Sequence, residues 1–359
     1  MPRATRISGG QLVTLFLASR LSQCLLLTPA DVADVTLSDS LFSTLLSSVF
    51  LFLLFVPTLL VLRRCRHRGL VDIAYLHSRG MGRTVCLAYL LLCLFILGWD
   101  VVQFYDFAAK SMKADFSVTA LTVAIAAVAC VAACYGVEAL SRAALPVMVF
   151  SALSLLVFSA ALLPEMRLLH FSPSAGGGFA VIVKRAVMEL PRTAEVVAIG
   201  MLYPHIGGSR GGAAVGFSAL TAVFTALVST TTLGVLGDFA AHIAYPYYAS
   251  VTAVQFGVFQ GMDIVITTVW LSTFFVRLAL FFSLFLNASR RLFGRRFRVP
   301  LAALAVFLLA VWTVCIDRGM LTVTRQPVTG VYWVVLGAFC VVLPPLLWLL
   351  SRGKRGRAV

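Results

Sequence analysis

Charge is scarce in this sequence, and acidic charge most of all. Of 359 residues only 14 are Asp or Glu, and charged residues of both signs make up 12% of the chain. Water-soluble domains carry about 25%, so a sizeable soluble domain is excluded. The eight cysteines, Cys24, Cys65, Cys86, Cys93, Cys130, Cys134, Cys315 and Cys340, form no CxxC pair, and no histidine cluster accompanies them. Most lie in apolar runs, where cysteine behaves as a small hydrophobe. That argues against a disulfide framework or a zinc centre. P-loop, GxSxG and HExxH patterns are missing, and His67, His77, His170, His205 and His242 fall in loops or at the ends of apolar runs. An enzyme, a cofactor and a metal site are therefore not expected. No linker is long enough to divide the chain, and the N-terminal run lacks the cleavage site of a signal peptide.

What fills the chain is hydrophobic sequence, 60% of all residues. A membrane span needs about 20 mostly apolar residues, and such runs recur from end to end. Ten spans are expected, roughly 7–28, 40–62, 84–106, 116–135, 140–163, 190–206, 213–234, 263–287, 300–316 and 331–350. The predicted fold is an all-α polytopic membrane protein, with residues 1–359 as one integral membrane domain. With the N-terminus inside, inner segments hold 19 of the 29 basic residues and outer segments eight. The outer stretches around Asp31, Asp34 and Asp39 and over 235–262 hold none. This bias supports cytoplasmic N- and C-termini. The formal charge of +15 then reports topology and attraction to anionic lipid, not nucleic acid. Two basic residues, Arg20 and Arg277, lie inside spans.

Ten spans divide into five and five, the arithmetic of an inverted-topology repeat, with halves at about 7–163 and 190–350. The halves share no visible residue-by-residue similarity. In such carriers the first span of each half is broken near the midplane. Span 1, LVTLFLASRLSQCLLLTP, has a polar island of Ser19, Arg20, Ser22 and Gln23 running to Cys24. Span 6, ELPRTAEVVAIGMLYPHIGG, contains Pro191, Glu195, Gly200 and Pro204. The stretches 164–189, with SPSAGGG, and 235–262, with AHIAYPYYAS, are expected as outer connectors or gates, the second as a short interfacial helix.

An arginine at a helix centre costs about 2.5–3.5 kcal/mol on insertion scales and normally faces a partner or a cavity. Counting about 1.5 Å per residue from the outer boundary puts Arg20, Asp100 and Glu195 at a common depth of roughly 8–10 Å. The expectation is an outward-facing pocket in which Arg20 pairs with Asp100 and Glu195 or meets a ligand carboxylate. Snorkelling or a structural ion pair is the competing role. Arg277 falls in the inner half of span 8 with no acid at its depth, below Thr267, Thr268, Ser272 and Thr273. It is expected to reach carbonyls or headgroups, or to line a water path. GWDVVQFYDF places Trp99, Gln103 and Asp106 on one helical face with Asp100 beside it, and Tyr105 at the membrane interface. Glu138 and Arg142 have the spacing of a structural helix pair.

Several stretches resemble the B subunits of spore nutrient-germinant receptors, a branch of the amino acid–polyamine–organocation permease superfamily. ISGGQLVTLFLASRLSQCLLLTP is similar to that family's I-S-x-x-Q … L-x-x-P opening. YGVEALSRAALPVMVF carries G-x-E-x-x-x-R as Gly136, Glu138 and Arg142. EVVAIGMLYPHI resembles the acid-to-Pro pattern of span 6, and DIVITTVWLSTFFVRLALFF resembles span 8, with Asp263 seven residues before Trp270. Ser22, Gln23 and Cys24 stand where many members have a Gly-x-Gly-like break, and Gly261 stands where a basic residue often precedes the span-8 acid. The resemblance implies a LeuT-like amino acid permease fold and a small nutrient ligand, an amino acid. Span 8 would contribute Thr273 and Val276 to the pocket wall. It also implies residence in the spore inner membrane, partnership with an A-type membrane subunit and a C-type lipoprotein, and ligand-triggered ion release. An ion-coupled amino acid permease would keep the same pocket, so the residues leave both functions open.

Overall fold

Apolar sequence in lipid has to satisfy its own backbone hydrogen bonds, and the helix does so within one segment. The computed structural model describes residues 7–26, 37–65, 68–111, 117–167, 178–208, 210–253, 262–320 and 325–352. Outside these lie Arg3, Arg6, Arg66, Lys113, Lys354, Arg355 and Arg357, along with Asp31, Asp34, His67, His170, Gly261 and most of SPSAGGG.

The chain opens with a short strand, β1 (Ile7–Ser8), that leads directly into α1 (Gly9–Cys24). Ser8 caps the helix. Its Oγ accepts from the Gln11 amide at 3.1 Å, and its own amide donates to Gln11 Oε1 at 2.8 Å. The I-S-x-x-Q opening is thus a capping box, two orphan amides satisfied by one residue pair. Next come α2 (Leu37–Arg64), the short α3 (Leu70–His77), α4 (Arg79–Ser111), α5 (Val118–Cys134) and α6 (Val137–Leu162). The second half contains α7 (Gly178–Glu189), α8 (Glu195–Leu202), strand β2 (Ile206–Gly207), α9 (Arg210–Leu236) and α10 (Pro246–Ala253). It ends with α11 (Met262–Phe293), α12 (Arg298–Asp317), α13 (Arg325–Leu336) and α14 (Leu343–Arg352), the last two joined by a π-helical stretch at Gly337–Val342.

Among the described residues seven stretches are long and apolar enough to cross a bilayer: 39–64, 79–111, 137–165, 210–242, 262–293, 298–317 and 330–350. The other three expected spans are shorter. α5 has 17 residues and α1 has 16. Span 6 is split, because Glu189 passes into a 3-10 turn at Leu190–Arg192 before the eight-residue α8 begins at Glu195. Two expectations about the breaks need correction. α1 runs unbroken through the polar island and ends at Cys24, and α8 runs unbroken through Gly200.

The presumed connectors also differ from expectation. Residues 178–189 form α7, which packs along α2. Residues 246–253 form a helix, α10, but it is tucked into the protein: Tyr245 and Tyr247 are buried, and Tyr245 meets Phe107 edge-on at 5.0 Å.

α11 is the most enclosed long helix and touches α1, α4, α5 and α6, while α1 also packs on α6 and α9. β1 and β2 pair in parallel, Ile7 opposite Ile206, tying the entry of span 1 to the exit of span 6. On that side α3 is pinned to α11 by an Asp72–Arg291 ion pair. It lies so close to α4 that a Cβ at Gly82 would overlap the Tyr75 ring. Gly82→Ala is expected to lower stability by about 1–3 kcal/mol through overpacking. Gly98→Ala, where nothing lies within 4 Å of the added carbon, is expected to change it by less than about 0.5 kcal/mol. Thermal unfolding of the detergent-solubilised protein reads both.

Candidate functional site

Four buried polar side chains from four helices converge where the short helices α1 and α8 meet the long ones. Arg277 is the sixteenth of the 32 residues of α11, close to its midpoint. Its Nε donates to both oxygens of Asp100 on α4, at 2.9 Å each, and its Nη1 donates to Glu195 Oε1 at 2.6 Å. Glu195 opens α8, where a helix N-terminus favours negative charge. The same oxygen of Glu195 accepts from Ser19 Oγ at 2.6 Å, which brings α1 into the cluster. Asp100, Glu195 and Ser19 are fully buried and Arg277 is 1% exposed. Gln23 Nε2 approaches Asp100 Oδ1 at 3.5 Å. Tyr332 on α13 is buried, with its hydroxyl unpartnered among the described residues.

The end of α1 is supported from α11 as well. A helix terminus leaves carbonyls without intrahelical partners, and in lipid each costs several kcal/mol. The Ser22 carbonyl accepts from Trp270 Nε1 at 3.1 Å, and the Ser19 carbonyl accepts from Ser22 Oγ at 2.7 Å. Trp270 is held in turn by a stack with Phe104 and Phe274, centroids 5.4 and 5.3 Å away.

This arrangement corrects the expected pairing. Arg277, not Arg20, holds Asp100 and Glu195, and Arg277 does have acids at its depth. The error lay in the span ends. α4 continues to Ser111, so Asp100 lies eleven residues from that end, about 17 Å at the helical rise. Arg277 lies fifteen residues from Met262, the α11 terminus on the same side, about 23 Å down. An arginine side chain spans the difference. Glu195 is deeper than counted from Leu190, because α7 precedes it. Arg20 is 3% exposed, and its Nε and Nη1 have no hydrogen-bond partner among the described residues.

Of the remaining candidates, Ser22, Thr273 and Val276 are buried beside the cluster on α1 and α11, with the Thr273 hydroxyl bonded to its own helix at the Trp270 carbonyl, 2.8 Å. Trp99 and Gln103 are partly buried on the neighbouring face of α4, and Gln103 Oε1 is unpartnered among the described residues. Asp106 is engaged elsewhere, by Lys110 and by Tyr245 at 2.6 Å each. Tyr105 donates to Asp317 at the end of α12. Gly200 is a packing position, since a Cβ there would run into Tyr89 and come within 2.8 Å of Leu70. Glu138 and Arg142 form the expected helix pair at 2.6 Å. Glu138 also lines a cavity of about 180 Å³ with Ile7, His205, Asn287, Arg290 and Arg298. All eight cysteines are free. Sequence reasoning did not single out Tyr332, whose buried hydroxyl has no partner among the described residues. A lone tyrosine in VYWVV carries no signal of what faces it.

The sequence model described as "Spore germination protein" matches residues 6–318. The chain belongs to the spore germination protein family. No curated protein sequence matches it. Among solved structures, this spore germination protein is similar to Mhp1, a nucleobase-cation-symport-1 family transporter in a closed conformation with bromovinylhydantoin bound. The TM-score is 0.64 at 14% identity, covering 99% of this chain and 82% of that one. It is also similar to a Na+-coupled sialic acid symporter in a substrate-bound outward-open state, with TM-score 0.63 and 10% identity over 98% of this chain and 80% of that one. At such identity these likenesses establish the fold, that of LeuT-like membrane transporters. Family and structural neighbours are permeases and transporters rather than enzymes.

Removing one member of a buried charge cluster strands the others. Arg277→Met is therefore expected to cost about 3–5 kcal/mol. Adding Asp100→Asn and Glu195→Gln to it should recover part of that loss, measured as the midpoint of thermal unfolding in detergent.

Proposed function

We propose that this germination-family membrane protein binds a small nutrient, an amino acid, among the buried polar groups at the junction of spans 1, 3, 6 and 8. There it acts as a receptor subunit. The observation that carries this is the coupling of Ser19 on α1 and Glu195 on α8 to Asp100 and Arg277 on two long helices. Short helices that end at mid-membrane expose backbone groups to a ligand, and their tilt against the long helices changes when the polar junction is occupied. Binding would then shift the population between two packings. Ser19, Ser22, Gln23, Trp99, Asp100, Gln103, Glu195, Thr273, Val276 and Arg277 form the proposed surroundings of the ligand, with Arg20 treated separately below.

The single membrane domain would comprise two inverted halves, about 7–163 and 190–350, the second extended by α7 to begin at 178. By family resemblance the protein would reside in the spore inner membrane with both termini cytoplasmic. It would pass its signal to an A-type membrane subunit and a C-type lipoprotein. An ion-coupled permease is the second reading, favoured by the transporter fold of the structural neighbours.

Purified protein in nanodiscs, screened by thermal shift against the twenty common L-amino acids, is expected to be stabilised by one or a few of them. Proteoliposomes holding this chain alone should not accumulate that amino acid. Concentrative uptake of the labelled compound would rule out the pure sensor and establish the permease.

A further inference from the structure

Arg20 is left over. Both carboxylates of the buried cluster are engaged by Arg277, while Arg20 is 97% buried, with Nε and Nη1 unpartnered among the described residues. An unpaired guanidinium is among the costliest groups to hold inside a membrane protein, and it persists where something supplies its counter-charge.

Helix register shows which seam it occupies. Four residues before Arg20, Phe16 meets Phe217 of α9 edge-on, ring centroids 5.6 Å apart. Four residues after it, Cys24 Sγ lies 3.3 Å from Thr225 Oγ1 of α9. Positions four apart share a helix face, so Arg20 lies in the α1–α9 seam. Its counterpart is Thr221, itself four residues from both Phe217 and Thr225. Thr221 Oγ1 is buried without a partner among the described residues, and so is the hydroxyl of Ser218, one turn away. Hydroxyls further along α9 behave otherwise: Thr231 and Thr232 bond to their own helix carbonyls at 2.9 and 2.7 Å. Two free hydroxyls and a guanidinium in one seam make a donor set suited to an anion.

Charge narrows the kind of anion. Arg277, Asp100 and Glu195 together carry one negative charge in excess, and Glu195 Oε2 is unpartnered among the described residues. Ser19, the residue next to Arg20, holds the other oxygen of that carboxylate. Arg20 thus stands on α1 next to Ser19, the residue that holds the Glu195 carboxylate of α8. We propose that Arg20, Ser218 and Thr221 seat the carboxylate of a zwitterionic small molecule whose ammonium group meets Glu195 Oε2. An inorganic anion would suit the same donors, but it would bring no cation to Glu195 Oε2. The assignment rests on the nutrient-binding function proposed above and places the ligand's acid group on Arg20 instead of Arg277.

The full chain in nanodiscs provides the test, in chloride-free gluconate buffer. The tightest-binding L-amino acid is compared with its amide, which lacks the carboxylate, and with its N-acetyl derivative, which lacks the ammonium. Each derivative is expected to bind about 10- to 100-fold more weakly. Arg20→Gln should weaken the amino acid by a similar factor and erase the acid-over-amide preference, while Arg20→Lys keeps part of it. Ser218→Ala with Thr221→Val should narrow the same preference, which keeps the test open if Arg20→Gln fails to fold. Equal binding of acid and amide by the wild type, or an unchanged preference in Arg20→Gln, overturns the seat while leaving nutrient binding intact. Stabilisation by chloride alone that Arg20→Gln abolishes overturns it in favour of an inorganic anion. Failure of the wild type to bind any amino acid removes the nutrient function and the seat together.

Discussion

The Arg277 guanidinium has to be neutralised inside the membrane, and much of the bundle is arranged around that requirement. Asp100 supplies one carboxylate from α4 and Glu195 supplies the other from the start of α8. Glu195 reaches that position only because span 6 breaks before it. The 3-10 turn at Leu190–Arg192 ends the preceding helix and lets α8 start at Glu195, whose carboxylate meets Arg277. Ser19 then ties α1 to the same carboxylate. A single buried cation therefore joins the long helices to the two short ones, whose relative tilt is the natural degree of freedom in this fold.

The backbone ends are treated with similar economy. α1 stops at Cys24, and its Ser22 carbonyl is taken up by Trp270, which an aromatic stack holds in place. At its other end the Ser8–Gln11 capping box closes the first turn, and β1 pairs with β2 beyond α8. The two short helices α1 and α8 are thus tied together at one end by a strand pair and further along by the Ser19–Glu195 hydrogen bond. Motion of one without the other would break both links.

Particular residues show where sequence reasoning succeeds. Apolar run length located the spans, because lipid admits little besides helix, and the positions of Ser19, Asp100, Glu195 and Arg277 stood out because charge and polarity in such runs are rare. Depth was misread because it depends on helix ends, and polar or aromatic residues extend helices past the apolar core: α4 runs to Ser111 and α11 to Phe293. Tyr332 and Thr221 carried no signal. A hydroxyl on an apolar helix acquires meaning only from what the neighbouring helix presents to it.

By itself, the sequence determined the membrane, the helical class, the family and the short list of buried polar groups, since each follows from composition or local spacing. Tertiary structure alone decided which arginine owns the two carboxylates. Pairing in a low-dielectric interior is set by distances of about 3 Å, and these emerge from the crossing of helices up to 177 residues apart in sequence. The same packing decided that Arg20 should be the cation left facing α9.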